Sequence, residues 1–208
     1  MSINMLGQKI GMTQVFNEQG NAIPVTILKV GPCTITQIKK NKENTHTNIQ
    51  IGYEYVNPNQ MKKPNIGHFK KNKIPCFKHL KEYKSDSWNN LSIGKILNIK
   101  EFQIGNYINV SGISTGKGFS GCQKKHNFNR GPMSHGSKNH KQPGSIGAGT
   151  SPGRVFPGKK MAGRMGNTKV TIRNLQIINI NVDKNIIIIK GSVPGKSGKI
   201  IYIHKTEK

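Results

Sequence analysis

The sequence predicts a mainly β protein: an antiparallel barrel or sandwich, interrupted by a small mixed insert and by a long irregular glycine-rich basic stretch. Three observations predict it. Runs rich in Ile, Val and Thr recur at close spacing near both ends of the chain. Glycines and cations crowd together between them. Only 33% of the 208 residues are hydrophobic and 6% aromatic, which suits a modest core with appendages better than one large core.

Taken in order, residues 9–16 and 23–30 read as two strands joined by a polar turn at Gly20-Asn21, and residues 34–38 and 47–53 continue the β pattern at short spacing. Residues 57–90 are rich in Lys and Asn with weak periodicity, which predicts a poorly packed insert holding a short helix near 60–71. Strand character returns over 92–110 and is strongest at 170–172, 175–182 and 185–190, with Asp183-Lys184 as a turn. The four isoleucines at 186–189 suit a strand covered on both faces, because an exposed version invites aggregation. The β core is therefore assigned to 1–56, 91–110 and 170–208, the insert to 57–90, and the irregular stretch to 111–169.

Charge narrows the function classes. The formal net charge is +25, from 33 Lys and Arg against 8 acids, and a free compact protein so charged is strained by self-repulsion unless an anionic partner neutralises it. No segment approaches the roughly 20 apolar residues of a spanning helix, and no basic amphipathic helix presents a bulky apolar face. Nucleic acid is the partner the sequence favours, with no membrane. The opening Met1-Ser2-Ile3-Asn4-Met5-Leu6-Gly7 has neither the charged start nor the apolar block of a secretory signal, so the chain is expected either to be used where it is made or to have been trimmed. Three widely spaced cysteines, Cys33, Cys76 and Cys122, argue against a disulfide framework and for a reducing compartment.

Residues 111–173 are the unusual part. They carry 13 of the 24 glycines and 12 basic residues, with no acid anywhere from Phe102 through Val182. Apolar side chains are too sparse there to offset an ordering cost of roughly 1–2 kcal/mol per residue in backbone entropy, so the stretch is expected to take its shape from the polyanion it binds. The chain favours Lys over Arg by 29 to 4, yet Arg130, Arg154, Arg164 and Arg173 all fall here. A guanidinium binds phosphate bidentately and stacks on bases, which an ammonium does not.

Enzymatic readings fit poorly. Thr115-Gly116-Lys117-Gly118-Phe119-Ser120-Gly121 contains a literal G-x-G-x-x-G after a strand-like run, but no core-facing helix is announced after it and no acid follows to hold a ribose. As a phosphate loop the spacing from Gly112 to Gly116-Lys117 is one residue short, and Gly118 stands where a Ser or Thr belongs. Cys122, His126, His135 and His140 give C-x3-H-x8-H-x4-H, a loose zinc pattern with one thiolate, and these side chains suit phosphates and bases better. His68 and His79 read as structural or solvent-facing. The acids are isolated in polar turns, so no Ser-His-Asp arrangement is credible. No cofactor, metal or small-molecule substrate is expected. The rivals are a nucleotide-binding enzyme using GKGFSG and a nonspecific DNA-binding protein.

Particular runs are more specific. Gly7-Gln8-Lys9-Ile10-Gly11-Met12-Thr13-Gln14-Val15-Phe16 resembles the opening signature of the family formed by the third protein of the large ribosomal subunit. So do Pro132-Met133-Ser134-His135-Gly136-Ser137-Lys138-Asn139-His140-Lys141-Gln142-Pro143-Gly144-Ser145-Ile146-Gly147 and Pro152-Gly153-Arg154-Val155-Phe156-Pro157-Gly158-Lys159-Lys160-Met161-Ala162-Gly163-Arg164-Met165-Gly166. With Lys190-Gly191-Ser192-Val193-Pro194-Gly195 the resemblance spans essentially the whole chain, weakest over 57–90, and is of the bacterial or organellar type.

The resemblance implies a closed translation-protein-type β-barrel with a long irregular Gly-rich basic extension, a structural constituent of the large subunit that binds its rRNA and nucleates early assembly. It implies no catalysis. The implied rRNA-binding residues are Lys117, Lys124, Lys125, His126, Arg130, His135, Lys138, His140, Lys141, Arg154, Lys159, Lys160, Arg164, Lys169 and Arg173. The implied loop tip near the peptidyl transferase centre is Ile146, Gly147, Ala148, Gly149, Thr150, Ser151 and Pro152. TGKGFSG becomes the exit from barrel to loop, its glycines permitting positive φ and close backbone approach to phosphate. Implied neighbours are the fourteenth and nineteenth large-subunit proteins, in a bacterial cytoplasm or an organelle such as a plastid. Two departures stand out. Lys141 occupies a position where bacterial relatives often have Arg, and Ala148-Gly149-Thr150-Ser151 has no glutamine to be methylated as in some members.

Overall fold

The computed structural model describes residues 4–40, 47–85 and 91–205. Two compact units divide the chain: Met1–Ile113 together with Lys169–Lys208, and Ser114–Thr168. The first unit begins with β1 (Asn4–Phe16), β2 (Ala22–Val30), β3 (Cys33–Lys40) and β4 (Thr47–Tyr55), then α1 (Lys63–Lys71), β5 (Phe77–Ser85), β6 (Ile96–Leu97) and β7 (Tyr107–Ile113). The second unit holds β8 (Phe119–Ser120), α2 (Cys122–His126) and β9 (Gly163–Arg164). The chain then returns through β10 (Lys169–Asn181), β11 (Ile186–Lys190) and β12 (Ile200–Lys205).

Strands β1 and β2 form the opening hairpin. Asn17 makes its turn, the side-chain oxygen accepting from the backbone N–H of Gln19 (3.1 Å) and of Asn21 (2.7 Å). Six strands then close on themselves in the order β1-β12-β7-β10-β11-β2, with β2 returning to β1 and every pair antiparallel. Closure gives every strand of the ring a partner on each side, which reduces the edge available for edge-to-edge association. Side chains alternate, so Leu28 and Val30 on β2 point inward with Ile108, Val110, Ile177, Ile187, Ile189, Ile201 and Ile203, all of them buried.

Strand β10 serves two partners, β7 with its first half and β11 with its second. A register break between Ile172 and Leu175 interrupts its pairing with β7. Asn174, at the break, has φ of 55° and donates its N–H to the Asn109 side chain at 2.9 Å. On β1, Lys9 is buried, and its ammonium donates to the carbonyls of Val193 (2.8 Å) and Gly195 (3.1 Å), which compensate its desolvation.

Three expectations need correction. Strands β3 and β4 do not join the ring; they form a second sheet in the order β5-β4-β3-β6. Both edges of β2 are already taken, by β1 and by β11, so the chain leaving β2 cannot pair back onto it. Periodicity reports which face of a strand is buried and says nothing about its partner. Ile35, Ile49, Ile51, Tyr53, Tyr83 and Leu97 of this sheet nevertheless belong to the same apolar cluster as the ring interior.

The insert over residues 57–85 is also better packed than its composition suggests, and residues 86–90 lie outside the described residues. Strand β5 pairs with β4 from Thr47↔Ser85 to Tyr55↔Phe77, and Phe69 of α1 is buried with Cys76 and Phe77. The Phe69 and Phe77 rings meet edge-on with centroids 6.2 Å apart. Lysines on the outer face of β5 conceal this, since its buried side rests on few aromatic positions. In β11, finally, Ile187 and Ile189 are fully buried while Ile186 and Ile188 are half-buried, so the strand has one sealed face.

Candidate nucleic-acid interface

The second unit is built from the base upward by short backbone contacts. Strands β8 and β9 pair Phe119 with Arg164 and Ser120 with Gly163. The ladder extends through Ser114 N–H to Thr168 O (2.9 Å), Lys117 N–H to Met165 O (2.9 Å) and Met165 N–H to Gly118 O (3.0 Å). Gly118 and Gly166 adopt positive φ, 67° and 74°, and a Cβ on Gly166 would collide with the Thr115 carbonyl. The close approach of the two backbones thus rests on Gly166 opposite Thr115, whereas Gly118 has open space around it and serves through its positive φ. No turn here presents amides to a nucleotide: α2, which follows, has five residues, and Gly121 before it supplies no side-chain cap.

Helix α2 is nevertheless a helix that the sequence did not announce. Cys122 is its buried residue, and Asn127 ends it with φ of 58°. Side chains tie distant parts of the unit to it: His126 Nε2 lies 3.0 Å from Met161 O, and the Gln123 amide donates to Lys141 O at 2.6 Å. Beyond α2, Gly131 N–H reaches His140 O (3.1 Å), while His140 Nδ1 lies 2.9 Å from Pro132 O.

Between these ties and β9 the character changes, for every residue from 141 to 162 is exposed. The chain reverses over residues 147–154, where Gly153 N–H donates to Gly149 O at 3.1 Å and the Ser145 hydroxyl to Gly147 O at 3.1 Å. Ile146, Gly147, Ala148, Gly149, Thr150, Ser151 and Pro152 all lie in or next to that reversal.

The expected contact residues divide accordingly. Lys117, Lys124, Arg130, His135, Lys138, Lys141, Arg154, Lys159, Lys160 and Arg164 are exposed in Ser114–Thr168, and Lys125, His126 and His140 are half-buried there. Lys169 and Arg173 are exposed on β10, in the other unit. Since Ser114–Thr168 contains no Asp or Glu, nothing within it neutralises its cations. The four residues of the loose zinc pattern are not gathered: among the described residues no three His, Cys, Asp or Glu side chains converge on one point. Two residues absent from the expected set are Phe119, 80% exposed, and Phe156, 58% exposed. Their signal in the sequence was faint: aromatic rings in a stretch with too few apolar partners to bury them.

Fold and surface together define a strongly basic β protein whose exposed, acid-free segment has the chemistry of a polyanion binder. The family model described as Ribosomal protein L3 matches residues 35–184. A relative from Gracilaria tenuistipitata var. liui, "Large ribosomal subunit protein uL3c", is 60% identical over 99% of this chain and 100% of its own length. The protein of the same name from Porphyra purpurea is 53% identical, with the same coverage of both chains. In Trichormus variabilis, "Large ribosomal subunit protein uL3" is 50% identical over 100% of this chain and 99% of its own. The chain belongs to the ribosomal protein L3 family, of the organellar or bacterial type. This is a family of structural proteins and not a class of enzymes.

Proposed function

We propose that the chain is a structural constituent of the large ribosomal subunit that binds large-subunit rRNA, chiefly through Ser114–Thr168, and nucleates early assembly. In this reading the six-strand ring is a barrel of the translation-protein kind, with the β core at 1–56, 91–110 and 170–208, the insert at 57–90 and an rRNA-penetrating loop at 111–169. Its reversal at residues 146–152 extends toward the peptidyl transferase centre, and the fourteenth and nineteenth large-subunit proteins adjoin it. The compartment is a plastid or a bacterial cytoplasm.

One observation carries the reading: an uninterrupted exposed stretch, 141–162, inside a segment without a single acid that also holds Arg130, Arg154 and Arg164. Lys117, Lys124, Lys125, Lys138, Lys141, Lys159, Lys160 and Arg164 meet phosphates, joined by Lys169 and Arg173 on β10. His126, His135 and His140 add polar contacts to backbone and bases. Recognition is by shape and phosphate, because the A-form major groove is too narrow for side chains to read.

Equilibrium binding of the full chain to a large-subunit rRNA transcript tests this. With six to ten phosphate contacts, affinity falls by roughly 10³–10⁵ between about 50 and 200 mM salt. Affinity that stays flat across that range refutes the electrostatic account. Equal competition by duplex DNA would instead mark a nonspecific polyanion binder.

A further inference from the structure

Two of the chain's four arginines stand beside an exposed phenylalanine, and both pairs lie in Ser114–Thr168. Arg154 holds its guanidinium carbon 5.6 Å from the centroid of the Phe156 ring. That ring stays 58% exposed, so the cation covers only part of it. Phe119, 80% exposed, is the cross-strand partner of Arg164 in the β8–β9 pair, which sets the two side chains next to each other on one face. Phe69, Phe77 and Phe102 are buried, while Phe16, 62% exposed at the end of β1, lies outside the acid-free segment. A single exposed ring is ordinary on a protein surface; what sets these two apart is the arginine beside each within the acid-free segment.

We propose that Arg154–Phe156 and Phe119–Arg164 are stacking platforms for unpaired RNA bases. Each ring offers a flat apolar face to a base, and each guanidinium either extends that face or holds the adjoining phosphate. This inference rests on the reading of the segment as rRNA-binding and specifies what two positions in it recognise. Every base has a π-face, so stacking tolerates any sequence. Bases within a helix already stack on one another, which confines the targets to loops, bulges and ends whose bases are splayed out. Arginine suits such a platform because its planar group both stacks and binds phosphate, as lysine does not.

An apolar pocket on a neighbouring protein fits less well. Each ring stands in a stretch of cations and glycines. Seating either ring in a protein pocket would also desolvate the adjacent guanidinium, and the segment has no carboxylate to compensate it.

The test uses the full chain and a large-subunit rRNA transcript over a salt series. Phe156→Leu and Phe119→Leu keep apolar bulk but remove the ring, and each is expected to weaken binding about 5- to 150-fold. The slope of affinity against salt stays unchanged, because no charge is lost. Both positions are exposed, so unfolding curves of the variants should overlay the parent. Wild-type affinity in both leucine variants, with the salt slope intact, overturns the platforms and leaves the rRNA reading standing; loss of the salt slope in the parent overturns that reading instead. A second readout places a fluorophore in the ring's position, as Phe156→Trp in a Trp88→Phe background, since the chain has one tryptophan. Quenching on addition of the transcript is expected. An unquenched signal, or the same quenching by large-subunit proteins stripped of RNA, assigns the ring to a different partner and refutes base stacking.

Discussion

Ile187 and Phe156 are both large apolar side chains, yet one is sealed inside the ring and the other is more than half open to solvent. The difference lies in their neighbours. Ile187 faces Leu28 across the β11–β2 pair and belongs to a cluster fed by both sheets of the first unit. Around Phe156 every residue from 141 to 162 is exposed, and its one recorded ring contact is a guanidinium. Side-chain hydrophobicity therefore says little about burial until the supply of apolar partners is counted. The first unit is held by apolar packing. In Ser114–Thr168 the fixed points are backbone hydrogen bonds, side chains capping carbonyls, and glycines where two backbones approach.

The largest effect that separates these two regimes is core truncation. Ile187→Ala leaves a cavity beside Leu28 and is expected to cost about 2–5 kcal/mol of stability. Phe156→Ala in the free protein should stay within about 0.5 kcal/mol of the parent. Urea unfolding of both variants measures the contrast, and equal losses would mean that Phe156 has a packed environment after all.

A middle-sized effect separates two kinds of glycine within the second unit. Gly166→Ala forces a Cβ into the Thr115 carbonyl at a positive φ, so the β8–β9 ladder must open. Gly136 has a similar φ of 73° but open space around it, and Gly136→Ala costs only the backbone strain of about 1–2 kcal/mol. Limited proteolysis of the full chain reads this out. Gly166→Ala should speed cleavage within residues 121–166 well beyond Gly136→Ala, while the β core remains intact in both. Equal cleavage rates would show that the ladder does not hold the segment's base together.

Much of this was legible in the residues, and the illegible part has a physical pattern. Strand β2 announced itself through Ile and Val at period two, β11 through an unbroken run of four isoleucines, and the turn at residues 183–184 through its polar pair. Pairing was hidden, because β3 and β4 look like ring strands and are excluded only by β2 having both edges occupied. Strand β5 was hidden for the opposite reason: lysines on its outer face dilute a buried side made of Phe77, Tyr83 and Ser85. In the candidate interface the cations were readable from charge alone, since nothing in that stretch opposes them. Helix α2 was not readable, because a single turn closed by a left-handed asparagine leaves no apolar periodicity to detect. The exposed rings were equally silent, as exposure depends on what the fold fails to supply.

The smallest effect is a pH dependence confined to one unit. All eight acids of the sequence lie outside Ser114–Thr168, so carboxylate titration reports on the first unit alone. Glu82 on β5 accepts from the Lys39 ammonium at 2.6 Å and from the Gln50 amide at 3.2 Å. The hydrogen bond from Lys39 outweighs the opposing effect of burial and holds its carboxyl below the usual carboxylate range. A carboxyl depressed by folding contributes stability above its unfolded value of about 4.3, and that contribution disappears as pH falls through the folded value. Both partners are substantially exposed, 48% for Lys39 and 39% for Glu82, so solvent screening limits the pair to about 0.2–1 kcal/mol. Glu82→Gln should therefore lower the urea midpoint slightly at pH 7, and the difference should shrink as pH falls below about 4.3 and vanish in acid strong enough to protonate the parent's carboxyl. Protease cleavage inside residues 121–166 should not respond to this variant at any pH in that range. A coupled response would mean that the acid-free segment depends on the charge state of a strand in the other unit, and the contrast between the two would have to be redrawn.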